Sequence, residues 1–144
     1  MPILHVSLKR GEALHATRLT IGKQKLVYVL IADKRLKYKN GKSRIAYVGT
    51  TKKGVARIAQ SVATRAEAIL VLNGVHEFHA RIITCNSRQR VKTWCKLERA
   101  LILTFRERFG VIPYCNNKGK RMKQTDEFSY FTRSRIANII DELS

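Results

Sequence analysis

Leu26–Ala32 reads LVYVLIA and Arg44–Gly49 reads RIAYVG, and the stretch between them, Asp33–Ser43 (DKRLKYKNGKS), is rich in charge. Branched and aromatic side chains dominate both apolar runs, and such side chains suit a pleated backbone. A short run with almost no polar residue, such as Leu26–Ala32, reads as a buried strand. Asn40-Gly41 is a strong hairpin signal, because a tight two-residue turn needs positive φ angles that these residues tolerate. Arg44–Gly49 is therefore the return strand, joined to the first by the charged stretch.

Working outward, Lys53–Leu72 carries Val55, Ile58, Ala59, Val62, Ala66 and Ile69 on one face of a predicted helix, with Asn73-Gly74 as its stop. Val75–Cys85 alternates loosely and predicts a third strand. In Arg90–Gly110 the apolar residues Val91, Trp94, Leu97, Leu101, Ile102, Phe105 and Phe109 recur at helical spacing, ending at Gly110. Val111–Lys123 (VIPYCNNKGKRMK) reads as irregular, and a last helix is expected over Phe128–Leu143. Residues 1–24 are basic and ambiguous, with turn signals at Gly11 and Gly22. No repeat or low-complexity linker interrupts the chain. The expected fold is a small α/β (α+β) domain: a mixed or antiparallel three-stranded sheet flanked by helices, with a β-β-α-β-α core and an extra C-terminal helix. The expected divisions are an N-terminal extension (1–24), a core (25–117) and a basic loop with the C-terminal helix (118–144).

One acid falls in an unexpected place. Glu98 lies near the middle of the apolar stripe, between Trp94, Leu101, Ile102 and Phe105, while Lys92, Lys96, Arg99, Arg106 and Glu107 occupy the other side. Burying an ionised carboxylate costs several kcal/mol unless something compensates it. A bound metal, a buried arginine beside it, hydrogen bonds or a retained proton would satisfy that condition.

The 144 residues carry 29 Lys and Arg against 10 Asp and Glu, a formal net charge of +19. Of these, 27 bases and six acids lie in residues 1–125, so the excess is not a tail. A domain this basic repels itself unless a polyanion is near, which points to nucleic acid. The longest apolar run is too short to span a bilayer, no helix combines a cationic face with a bulky apolar one, and no signal peptide is expected. Cys85, Cys95 and Cys115 are odd in number and too far apart for a zinc knuckle, and they read as reduced thiols in a cytoplasmic or nucleoid-associated protein. Cys95 is expected in the core.

The motifs resemble a known family when taken in order. Leu26-Val27-Tyr28 ends in a tyrosine; Tyr47-Val48-Gly49 follows on the partner strand, then Thr50-Thr51; Arg57 comes eight residues after the glycine; Glu98 lies in a later helix; and Pro113-Tyr114-Cys115-Asn116 follows it. This pattern, from Leu26 to Asn117, resembles the GIY-YIG nuclease superfamily. Leu26 departs from the family's usual glycine, the tyrosines are 19 residues apart, wider than in compact members, and Ser61 stands where many members have His or Tyr.

The resemblance implies hydrolysis of phosphodiester bonds in duplex DNA at one divalent metal. Glu98 would hold Mg²⁺ or Mn²⁺, for which a single protein carboxylate suffices. Tyr28 would be the general base. A free phenol ionises near pH ~10, so cations must stand close to make tyrosine a base near neutrality. Tyr47 would position the attacking water or share that role. Arg57 would stabilise charge on the scissile phosphate. Lys42 and Arg44 would tune the phenols or bind phosphate, and Asn116 would fix the Glu98 loop or a phosphate. Lys34, Arg35, Lys37, Lys39, Lys118, Lys120, Arg121 and Lys123 are expected to grip backbone phosphates, which position a duplex without reading its sequence. Cutting both strands would take a homodimer or two binding events. The rival reading is a non-catalytic module that binds DNA or RNA on the same scaffold; a nickase or structure-specific repair enzyme would use the same residues.

Overall fold

The computed structural model describes residues 3–13, 15, 17, 22, 24–72 and 74–144. Asn73, half of the expected helix stop, lies outside them, as do nine residues of the 1–24 stretch. Among the described residues the elements are β1 (Leu26–Tyr38), β2 (Gly41–Thr51), α1 (Val55–Leu70), β3 (Phe78–Ile83), α2 (Thr93–Phe109), α3 (Glu127–Tyr130) and α4 (Arg133–Leu143). The sheet has the order β2-β1-β3 and is antiparallel throughout, so the fold is α+β.

β1 changes character along its length, and packing explains why. From Leu26 to Ala32 every residue is at most 4% exposed, so both faces are covered. α1 and α2 both pack on β1 and β2. Beyond Ala32 only alternate residues, Leu36 and Tyr38, are buried. They pack toward α2, where Tyr38 meets Phe105 edge-on at 5.0 Å between centroids and Phe109 at 6.0 Å.

The charged stretch is paired rather than looped out. Both strands run through it, and the turn is Lys39-Asn40, with Tyr38 opposite Gly41. The extra residues are absorbed as an arch in β1: Ile31 pairs with Ile45, and the next partners are Leu36 and Ser43. Within the arch Asp33 turns toward the approach to β3, its amide donating to the Glu77 carbonyl and its carboxylate accepting from the His76 amide. The tip does not project freely. The Asn40 amide donates to the Phe109 carbonyl at 3.0 Å, satisfying one of the orphan acceptors at the end of α2.

α2 ends at Gly110 in the left-handed region (φ 79°), as its sequence predicts. The single C-terminal helix expected over Phe128–Leu143 is instead two. Phe131 is extended, and the Thr132 side chain accepts from the Arg135 amide and starts α4 afresh. Ile136, Ile140 and Leu143 return α4 to the main core. Cys95 is partly buried against that core, and all three cysteines are free.

The polar side of α2 is largely occupied. Arg106 donates to the carbonyls of Gly119, Lys120 and Met122, and Arg99 to that of Lys123. Lys96 meets Asp126 at 2.6 Å, Arg99 meets Glu127 at 2.7 Å, and Arg108 pairs with Asp141. The Val111–Lys123 stretch is thus strapped across α2 rather than loose. No helix among the described residues is long and apolar enough to cross a membrane.

Candidate active site

The two motif tyrosines come together because β1 and β2 pair in one register. Tyr28 lies opposite Gly49, and Tyr47 opposite Leu30. The Tyr28 and Tyr47 rings are 5.8 Å apart and tilted by 42°. Gly49 is required by this approach. A Cβ built there would lie 2.6 Å from Tyr47 Cε1 and 2.8 Å from Tyr28 Cζ, inside van der Waals contact. Replacing Gly49 by Ala should therefore push the phenols apart and cost about 1–3 kcal/mol. Urea unfolding and the near-ultraviolet tyrosine dichroism check this; no change in either would mean the rings can retreat without cost.

α1 lies beside this pair. The Tyr28 hydroxyl and the Ser61 hydroxyl are 2.5 Å apart. Arg65, one turn further along α1, donates to Ser61 Oγ at 2.7 Å and stacks on Tyr47, its Cζ 3.9 Å from the ring centroid. Burial pushes the Tyr47 phenol up to about 12; the Tyr28 hydroxyl and the Glu98 charge add to that, and Arg65 opposes it. Tyr47 therefore keeps its proton near neutrality.

Glu98 stands at the same end of the sheet. It is partly buried, and burial raises its pKa, against a hydrogen bond from the Thr50 side chain and the Arg99 charge. Among the described residues its carboxylate enters no ion pair. Its neighbours on α2 are committed elsewhere: Lys96 to Asp126, Arg99 to Glu127. Among the described residues no arginine forms an ion pair with it, so the Thr50 hydrogen bond, a proton or a bound cation is left to offset its burial. No group of three or more His, Cys, Asp and Glu side chains converges among the described residues. The donor set is thus one carboxylate beside one hydroxyl. That suits a hydrated Mg²⁺ or Mn²⁺, which takes most of its shell from water and phosphate, and does not suit zinc.

Several expected site residues sit differently. Arg57 is exposed and donates to Gln60 Oε1 at 2.5 Å, so the guanidinium against the tyrosines is that of Arg65. Lys42 pairs with Lys37 near the turn, five residues from Tyr47, or about 16 Å of strand. Arg44 is about 10 Å away by the same measure. Neither borders the phenols. Asn116 grips neither Glu98 nor open solvent. Its amide accepts from Val48 N at 3.0 Å and donates to Val48 O at 2.9 Å, copying a strand partner between Tyr47 and Gly49. With the Cys115 amide bonded to Ala46, this closes the outer edge of β2 beside the site. Lys34, Arg35, Lys37, Lys39, Lys118, Lys120, Arg121 and Lys123 are all exposed.

Comparison of the chain with protein-family models, with curated proteins and with solved structures finds no match. The functional reading therefore rests on the geometry.

Arg65 was not singled out by sequence, and Ser61 was noted only as a departure from the family pattern. Their signal is spacing: they lie at i and i+4 beside the apolar face of α1, where side chains stack on one line.

Proposed function

We propose that this protein is a divalent-metal-dependent DNA endonuclease that hydrolyses phosphodiester bonds by a one-metal mechanism. The observation that carries this reading is Glu98, a partly buried carboxylate with no cationic partner among the described residues, at the end of the sheet that holds the tyrosine pair. Glu98 would hold Mg²⁺ or Mn²⁺, which when bound supplies electrophilic stabilisation of charge on the phosphate. Tyr28, entering the step as its phenolate, takes the proton of the attacking water, with the Ser61 hydroxyl donating to its oxygen. Tyr47 stays protonated and donates a hydrogen bond that orients the water. Asn116 acts through the backbone of β2, keeping the Tyr47-to-Gly49 turn of strand fixed. Cutting both strands takes a homodimer or two binding events.

The test is incubation of the protein with supercoiled plasmid and Mg²⁺ or Mn²⁺. Nicked or linear product that vanishes with chelator is expected. Binding without cleavage under any divalent metal would leave the rival, a nucleic-acid-binding module.

The exposed cations of the hairpin serve either reading. Lys37 and Lys42 are cross-strand partners on its outer side, roughly 16 Å from Tyr47, which at about 3.4 Å per phosphate is four or five nucleotides from the cut. Replacing both by Ala should weaken duplex binding alike for all sequences and flatten the log K against log salt slope by about 2. Anisotropy titrations at several KCl concentrations check this; an unchanged slope would remove the hairpin from the interface.

A further inference from the structure

We propose that Arg65 is the phosphate clamp of this site, its guanidinium edge binding a non-bridging oxygen of a phosphodiester. The inference deepens the nuclease reading and rests on it for the catalytic part.

The guanidinium is fixed on two sides. Its face lies 3.9 Å from the Tyr47 ring centroid, and Nη1 donates to Ser61 Oγ at 2.7 Å. A guanidinium has five N–H donors. Among the described residues only one hydrogen bond and no carboxylate engage those of Arg65. The other arginines near the core differ. Arg99 and Arg106 are spent on backbone carbonyls and Glu127, Arg108 on Asp141, and Arg57 on Gln60 in solvent. Arg65 alone among them combines a fixed plane, open donors and contact with both tyrosines, directly with Tyr47 and through Ser61 with Tyr28. A pre-fixed, always-charged fork loses little entropy on binding an anion and matches two phosphate oxygens. Among the described residues no ion pair joins Arg65 to Glu98, so its charge is free for the nucleic acid.

The experiment compares Arg65→Gln, Arg65→Lys and Arg57→Gln in plasmid cleavage with Mg²⁺, with melting temperature as the check on folding. Arg65→Gln should lower kcat by about 10²–10³-fold, the size found when one preorganised charge-stabilising donor is removed, with KM within about threefold. Arg65→Lys should recover part of the rate, because the charge returns without the fork. Arg57→Gln should cost only a few-fold. A larger loss for Arg57→Gln, or full activity for Arg65→Gln, overturns the assignment. Should the wild-type protein fail to cut at all, the nuclease reading fails, and a second readout decides the clamp. In the arginine side-chain N–H spectrum of the wild-type protein, the Arg65 signal is assigned by its loss in Arg65→Lys. It should move on addition of a short DNA duplex at a salt concentration that leaves the Arg57 signal unmoved. An Arg65 signal that stays put while other arginines respond overturns the proposal.

Discussion

Replacing Glu98 by Gln should abolish metal-dependent plasmid cleavage, lowering the rate by at least about 10³-fold, and leave duplex affinity in chelator within about twofold. The amide keeps the shape of the carboxylate and cannot hold a divalent cation, and removing a group that supplies several kcal/mol of charge stabilisation costs that order of rate. Stability should move the other way. Burial raises the Glu98 pKa in the folded protein, so the folded state binds this proton more tightly than the unfolded chain. Stability from this group is then present at low pH and lost as pH rises from the ordinary 4.5 through the raised folded value. The amide does not titrate and escapes that loss, so Glu98→Gln should melt at the same temperature or higher in metal-free neutral buffer. Saturating Mg²⁺ or Mn²⁺ should raise the wild-type melting temperature and leave the variant unmoved, since only the ligated folded state gains. A variant that loses activity and also several degrees of stability in chelator would mean Glu98 is a structural acid. Tyr28→Phe is the companion: it keeps the ring and removes the proton acceptor, and should cost about 10²–10⁴-fold in rate with metal-induced stabilisation retained.

What could be read in the chain follows from the range of the interactions involved. The β1–β2 hairpin, α1, β3, α2 and its Gly110 stop depend on periodicity and local caps, and these are written in neighbouring residues. The arch at Asp33–Arg35 was not legible as such, because it exists to bring Asp33 to the 76–77 backbone, more than 40 residues away. The turn slipped by one residue from Asn40-Gly41 because Asn40 docks on the end of α2. The break at Phe131 was masked by the continuing apolar spacing of the last helix. In the candidate site, Tyr28, Tyr47 and Glu98 were visible through type and spacing. Arg65 was not, since its importance comes from where α1 lies over the hairpin; Arg57 has the motif position but points into solvent. The partners of the polar face of α2 were not legible for a related reason. A row of cations looks solvated until the acids that pair with it, far along the chain, are known.

Those acids explain an asymmetry in the sequence. Asp126, Glu127 and Asp141 belong to the acid-rich last 19 residues, and each pairs with a cation of α2. The tail is thus a set of counter-ions for that helix, and the pairing frees Glu98 from Lys96 and Arg99. It also holds Lys118–Lys123 in one path, backbone inward to Arg106 and Arg99, basic side chains outward.

Glu127 is the keystone of this arrangement, and replacing it by Ala should be the most destabilising surface-to-tail change in the molecule. Its side chain is fully buried. Arg99 Nε donates to it at 2.7 Å, Thr125 N at 2.8 Å and Thr125 Oγ1 at 2.9 Å. Truncation strands a partly buried guanidinium, and breaking a buried pair in this way costs on the order of 3 kcal/mol. Urea unfolding should register that loss, and Arg99 should then become available to Glu98. Metal-induced stabilisation would fall as the two pair, a readout that simple loosening of the tail would not produce. The pH dependence has a definite sign. Burial alone would push the Glu127 carboxyl up; the hydrogen bonds from Arg99 and Thr125 prevail and hold it at about 2, below the ordinary 4.5. The folded state therefore binds this proton less tightly than the unfolded chain, so the contribution is complete above pH 4.5 and is lost as pH falls from there through about 2. The stability difference between wild type and Glu127→Ala should shrink across that interval and be flat above it. A gap that stays constant down to pH 2 would mean the carboxylate's charge contributes nothing and only its packing matters.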